Sequence, residues 1–126
     1  MNKQTVNTQN APAAIGPYSQ GVKVGNLIFT SGQLPINTQS GELVADIEGA
    51  TKQSLDNLKA ILESAGSAMD KIVKIVVFLR DMNDFVAMNA VYATYFPTNP
   101  PARSAVQVAR LPKDAIIEIE AIALAE

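Results

Sequence analysis

The eight residues Ile72-Val73-Lys74-Ile75-Val76-Val77-Phe78-Leu79 are apolar at every position but one. Successive side chains of a strand point to opposite faces, so a nearly continuous apolar run of strand length predicts a central strand covered on both sides. The rest of the chain must supply that cover. With 126 residues, one domain spanning 1–126 is expected, large enough to bury roughly two-thirds of its unfolded surface without metal or disulfide.

Two segments have helical spacing. Ile47, Thr51, Ser54, Leu55, Leu58, Ile61, Leu62 and Ala65 recur at intervals of three and four. They predict an amphipathic helix from about residue 46, with Asp46 as its cap and Gly66 as its stop. Asp81 or Asn83 begins a second helix that carries Phe85, Met88, Val91, Tyr92 and Tyr95 inward and ends before Pro97. Residues 4–7 read as a short strand. Gly21–Val24, a turn at Gly25-Asn26, and Leu27–Gln33 read as a β-hairpin. Gly32, late in that hairpin, marks a bulge, a close backbone approach or a simple strand end. The last quarter reads strand, turn, strand, with Leu111-Pro112-Lys113-Asp114 as the turn.

The resulting order, β-hairpin, α, β, α, β, β, predicts an α+β fold. Two helices cover only one face of a mixed sheet. An uncovered apolar face is an association surface, so a homo-oligomer closed through that face is expected.

Composition removes several chemistries. The chain has no Cys and no His. That excludes a thiolate nucleophile, a disulfide, a Ser-His-Asp arrangement and the commonest zinc ligand. Catalysis would rest on Arg, Lys, Tyr, Asp, Glu, hydroxyls, backbone groups or bound water. The net charge is -2 and the ten Lys and Arg residues are scattered, so no nucleic-acid partner is expected. The polar N-terminus has no apolar secretory core and no run is long enough to span a membrane, so the expected location is the cytosol.

Against that background Arg103, Glu118 and Glu120 stand out, charged residues in otherwise apolar strands. Spacing leaves two readings open: a solvated sheet face, or a buried site in which an arginine fork meets a carboxylate. Tyr18, in the Gly- and Pro-punctuated loop 13–21, is likewise either an anchor over the core edge or a phenol lining a pocket.

Pro101-Ala102-Arg103-Ser104, Ala109-Arg110-Leu111-Pro112-Lys113-Asp114 and Ile117-Glu118-Ile119-Glu120-Ala121 closely resemble the signature of the reactive intermediate deaminase A family, RidA, also called YjgF. Asn10-Ala11-Pro12, Ile15-Gly16-Pro17-Tyr18, Thr30-Ser31-Gly32-Gln33, Gln53-Ser54-Leu55-Asp56-Asn57 and Asp81-Met82-Asn83-Asp84-Phe85 resemble further family segments, in family order. The resemblance implies a chorismate-mutase-like α+β fold with two helices on one face of a mixed sheet, assembled as a homotrimer with active sites between subunits. It implies hydrolytic deamination of 2-iminobutanoate and 2-iminopropanoate to 2-keto acids and ammonia, with no cofactor and no metal. It assigns substrate binding to Arg103 and water orientation to Glu118, with Tyr18, Ser31, Gly32 and Asn89 around the substrate, and it leaves Glu120 structural. Relatives often carry Cys two residues after the arginine, where this chain has Ala105, so thiol chemistry at that position is absent. Two other functions remain open: a non-catalytic 2-keto-acid-binding regulatory module, and a ribonuclease or translation inhibitor.

Overall fold

The computed structural model describes residues 2–126. Six strands form one mixed sheet: β1 (Lys3–Val6), β2 (Gly21–Val24), β3 (Leu27–Thr30), β4 (Ile72–Leu79), β5 (Ala102–Gln107) and β6 (Ile117–Leu124). Their order across the sheet is β1-β2-β3-β6-β4-β5. Two helices, α1 (Ile47–Ser64) and α2 (Phe85–Tyr95), complete the expected α+β architecture.

Local chemistry sets both ends of α1 and the approach to α2. Asp46 accepts a hydrogen bond from the Gly49 N–H at 2.8 Å, which satisfies one of the free donors of the first turn of α1. Beyond the last turn Gly66 takes φ +84°, a conformation that costs glycine little. Asp81 accepts from the Asn83 N–H at 2.9 Å and starts a short turn, Met82–Asp84, that runs into α2. The inward stripes of both helices meet one face of the sheet. Leu55, Leu58, Leu62 and Met88 are fully buried there against Ile28, Ile75, Val77, Leu79, Ile117 and Ile119.

The expected terminal hairpin does not form. β5 and β6 lie on opposite edges of β4: β5 pairs with it in parallel, with Ile75 opposite Arg103, and β6 antiparallel, with Phe78 opposite Glu118. The crossover through α2 returns the chain to the starting end of β4, which makes β5 parallel. Residues 108–116 then carry the chain to the other edge. With neighbours on both sides, every backbone group of the apolar strand can pair, and neither of its edges is exposed.

The other sheet face has no helix over it. Phe29, Val106 and Leu124 are between 37% and 42% exposed, and Val76, Phe78 and Ile122 are partly exposed around them. β4 is therefore central, as its sequence predicts, but within one chain it is covered on one side only. Among the described residues no helix is long and apolar enough to cross a membrane.

Candidate active site

β3 stops at Thr30, and the ladder to β6 changes register immediately after it. Phe29 lies opposite Ile122, whereas Gln33 bridges to Ile119, so the β3 side holds one residue more than its partner. The Thr30 hydroxyl takes over as acceptor for the Ala121 N–H at 3.0 Å. Ser31 and Gly32 are the residues displaced by this bulge. The Ser31 N–H donates to the Gln20 carbonyl at 2.9 Å and its hydroxyl to the Ser19 carbonyl at 2.6 Å. Gly32 packs directly against the Glu118 carboxylate: a β-carbon at position 32 would overlap its Oε2 and stand 2.7 Å from its Cδ. Of the possibilities that sequence leaves open at Gly32, bulge and close approach are both present.

Around this contact lies a cleft of 440 Å³ whose walls include Tyr18, Ser31, Gly32, Leu34, Pro112 and Glu118. Two buried amides shape it. Gln20 donates to the Thr8 and Pro12 carbonyls at 3.1 and 2.8 Å and accepts from the Thr8 N–H at 2.7 Å, which fixes the loop before Tyr18. Asn57 of α1, 1% exposed, donates to the Leu34 and Ile36 carbonyls at 3.1 and 3.0 Å and accepts from Gln53 at 2.9 Å. It fastens the opposite wall to the helix. Tyr18 is half exposed beside the cleft, and its hydroxyl accepts from the Ile15 N–H at 3.2 Å. The pocket-lining reading of Tyr18 therefore describes its place.

Glu118 is half-buried, and its carboxylate has no hydrogen-bond partner within the chain among the described residues. Burial, and secondarily the like charge of Glu120 on the same strand face, push its carboxyl above the usual glutamate range. A carboxylate that binds protons more tightly than usual, and is free to bond to water, has the properties of a general base.

Arg103 is elsewhere. It projects from β5 onto the helix-covered face, where its Nη1 donates to Asn89 Oδ1 at 2.7 Å. Its Cζ stands 5.4 Å from the centre of the Phe85 ring and 4.6 Å from that of Tyr92. A second, more open hollow exposes it together with Asn89, Tyr92 and Pro101. No carboxylate forms an ion pair with Arg103 among the described residues.

The six sequence-predicted residues thus divide into two groups. Tyr18, Ser31, Gly32 and Glu118 share the cleft, while Arg103 and Asn89 occupy the other hollow. Arg103 pairs with Ile75, which faces the helices, whereas Glu118 and Phe78 face the open side. One chain therefore does not bring its cation and its carboxylate together. Asn89 presents its acceptor oxygen to Arg103, so this contact holds the arginine. Sequence reasoning missed Gln20 and Asn57 as architects of the cleft. The polar Asn57, three positions after Ser54 and four before Ile61 on the inward stripe of the helix, was the one signal available.

The family model described as Endoribonuclease L-PSP matches residues 8–125. The 2-iminobutanoate/2-iminopropanoate deaminase of Escherichia coli K12 is 56% identical over 124 residues, 96% of this chain and 97% of its own length. The crystal structure of the E. coli YjgF gene product superposes with a TM-score of 0.92 at 55% identity, covering 98% of this chain and 99% of that one. E. coli TdcF, solved with bound serine, gives 0.93 at 50% identity, covering 96% and 98%. With nearly the whole chain matched in both sequence and structure, this protein belongs to the RidA/YjgF family, the Endoribonuclease L-PSP group.

Proposed function

We propose that the protein hydrolyses 2-imino acids, 2-iminobutanoate and 2-iminopropanoate among them, to 2-keto acids and ammonia. The observation that carries this reading is the presence, in a chain 56% identical to a named deaminase, of an arginine with no ion-pair partner and a proton-retentive carboxylate with no hydrogen-bond partner, each beside its own hollow. Arg103 grips the substrate carboxylate through two parallel hydrogen bonds. Glu118 holds a water against the iminium carbon and accepts its proton as the carbon–oxygen bond forms. The same proton moves to the nitrogen, and as the carbon–nitrogen bond breaks Glu118 takes the remaining hydroxyl proton of the tetrahedral intermediate and passes it to the departing ammonia. Water and imine are consumed, and keto acid and ammonium leave. The iminium carbon is already electrophilic, so a thiol at position 105 is not needed.

Arg103 and Glu118 lie on opposite sheet faces, so the working site is completed by a second copy. The exposed apolar face is the surface through which copies would associate, and a closed homotrimer suits a contact that uses different patches on its two sides. A coupled assay tests the activity: a threonine dehydratase supplies the imine, and keto-acid release is timed with and without the protein. No acceleration by the wild type would sink the proposal.

The family description favours a second reading, cleavage of RNA. Incubating a metal-free preparation with single-stranded RNA tests it, and intact RNA would remove it. The serine-bound relative supports a cleft for small amino-acid-like ligands, which a non-catalytic sensor would also need. Binding of 2-ketobutyrate without imine turnover would favour that role.

A further inference from the structure

We infer that Phe85 and Tyr92 are positioning residues for Arg103, and that with Asn89 they form a charge-neutral cradle that aims the guanidinium while leaving its charge free for an anionic ligand. The inference rests on the proposed carboxylate-binding role of Arg103.

Phe85, Asn89 and Tyr92 are spaced at i, i+4 and i+7 on α2, which puts all three on one face of the helix. That face meets β5 at Arg103. Both ring centres lie within about 6 Å of the guanidinium carbon, the range in which a ring's electron-rich face attracts a cation. Asn89 fixes one nitrogen at 2.7 Å. Ring contacts restrain the plane of the fork and the amide restrains its rotation, so the remaining N–H groups point in a set direction. Tyr92 is itself braced, its ring 4.7 Å from that of Phe96 and tilted by 42°.

The chemistry of the cradle is as informative as its geometry. A carboxylate could hold an arginine just as firmly, but it would neutralise the charge and compete with a bound anion. Aromatic rings and an amide oxygen hold it without doing so. Tyr92 is 6% exposed, and its hydroxyl has no hydrogen-bond partner. Burial raises its phenol, outweighing the opposing pull of Arg103, so the ring remains neutral at working pH. A lysine at 103 would lose the planar restraint of the rings, because an ammonium has no plane to stack.

The bland account, that Tyr92 and Phe85 merely fill core, makes a different prediction, and two measurements separate the two. The first is the Nε–Hε NMR signal of Arg103, assigned by its disappearance in Arg103→Ala. The second is the Kd for 2-ketobutyrate. In the wild type ring currents should displace the signal from its free-peptide position. Tyr92→Leu should return it toward that position and weaken 2-ketobutyrate roughly tenfold, with KM rising more than kcat falls. Tyr92→Phe, which keeps the ring, should recover most of the loss. Phe85→Leu, at the less buried ring, gives a parallel reading should Tyr92→Leu fail to fold. An unmoved Arg103 signal in a folded Leu variant, or a Tyr92→Phe variant as impaired as Tyr92→Leu, would overturn the cradle. If the signal moves as expected but 2-ketobutyrate binds not even the wild type, the cradle stands and the carboxylate role of Arg103 falls.

Discussion

Glu118 fills the space into which a side chain at position 32 would project. An ideal β-carbon on Gly32 would lie 2.7 Å from the Glu118 Cδ. Glycine is needed there for room, since its backbone is not among those with positive φ. Gly32→Ala should therefore displace the carboxylate by a fraction of an ångström to an ångström. Misplacement on that scale lowers kcat by roughly a hundredfold, while the melting temperature changes little because the residue borders an open cleft. Steady-state kinetics and thermal unfolding on one preparation check both halves. Unchanged kcat would mean that Glu118 has no positional role.

The raised Glu118 carboxyl sets a pH dependence. The base must be ionised, so kcat/KM should fall as pH drops through a value above the ordinary glutamate range. Glu120 is the secondary cause of the shift, so Glu120→Gln should move that acid limb to lower pH without abolishing activity. The pH profiles of the two proteins decide it.

The same shift has a stability consequence. A carboxyl raised in the folded state contributes most favourably below its unfolded pKa, and that contribution is lost as pH rises through the folded value. Glu118→Gln should then unfold at a higher temperature than wild type near neutral pH, the difference shrinking under acid conditions. Calorimetry at two pH values measures this, and the same variant should turn over far more slowly.

Arg103 and Glu118 face opposite ways, which makes a mixing experiment decisive. Arg103→Ala and Glu118→Gln should each be severely impaired alone. Unfolded and refolded together, they should regain about a quarter of the wild-type sites if each site draws one residue from each of two neighbours in a ring. No regain, with mixed oligomers verified by mass, would refute a shared site.

Asn57→Ala leaves the Leu34 and Ile36 carbonyls without their buried donor. A loss of about 3 kcal/mol is expected from denaturant unfolding. KM should rise as well, since the freed segment forms a cleft wall.

What sequence could reveal follows the range of the physics involved. The α1 boundaries at Asp46 and Gly66 and the central place of β4 are found where spacing, capping and its apolar run put them, although within one chain only one face of β4 is buried. The partners of β5 and β6 are not local. Alternation reports which residues share a face of a strand, but not which strand lies alongside, and so the closing segments read as a hairpin although β4 separates them. The family resemblance identified the cleft residues Tyr18, Ser31, Gly32 and Glu118. It gave no sign that Asn89 spends its acceptor oxygen on Arg103, or that Phe85 and Tyr92 flank that arginine. Those facts depend on a helix face meeting a strand some ten to eighteen residues further along.

The interposition of β4 between β5 and β6 also separates two evolutionary liabilities. Arg103, proposed to grip an anion, and Glu118, proposed to activate water, sit on different strands, on different faces and against different neighbours. Substitutions near one need not disturb the other. A descendant could lose Glu118 and keep Arg103 with its helix intact, trading turnover for recognition in one step. In such a lineage the proposed catalysis and the proposed ligand capture could be lost independently of one another.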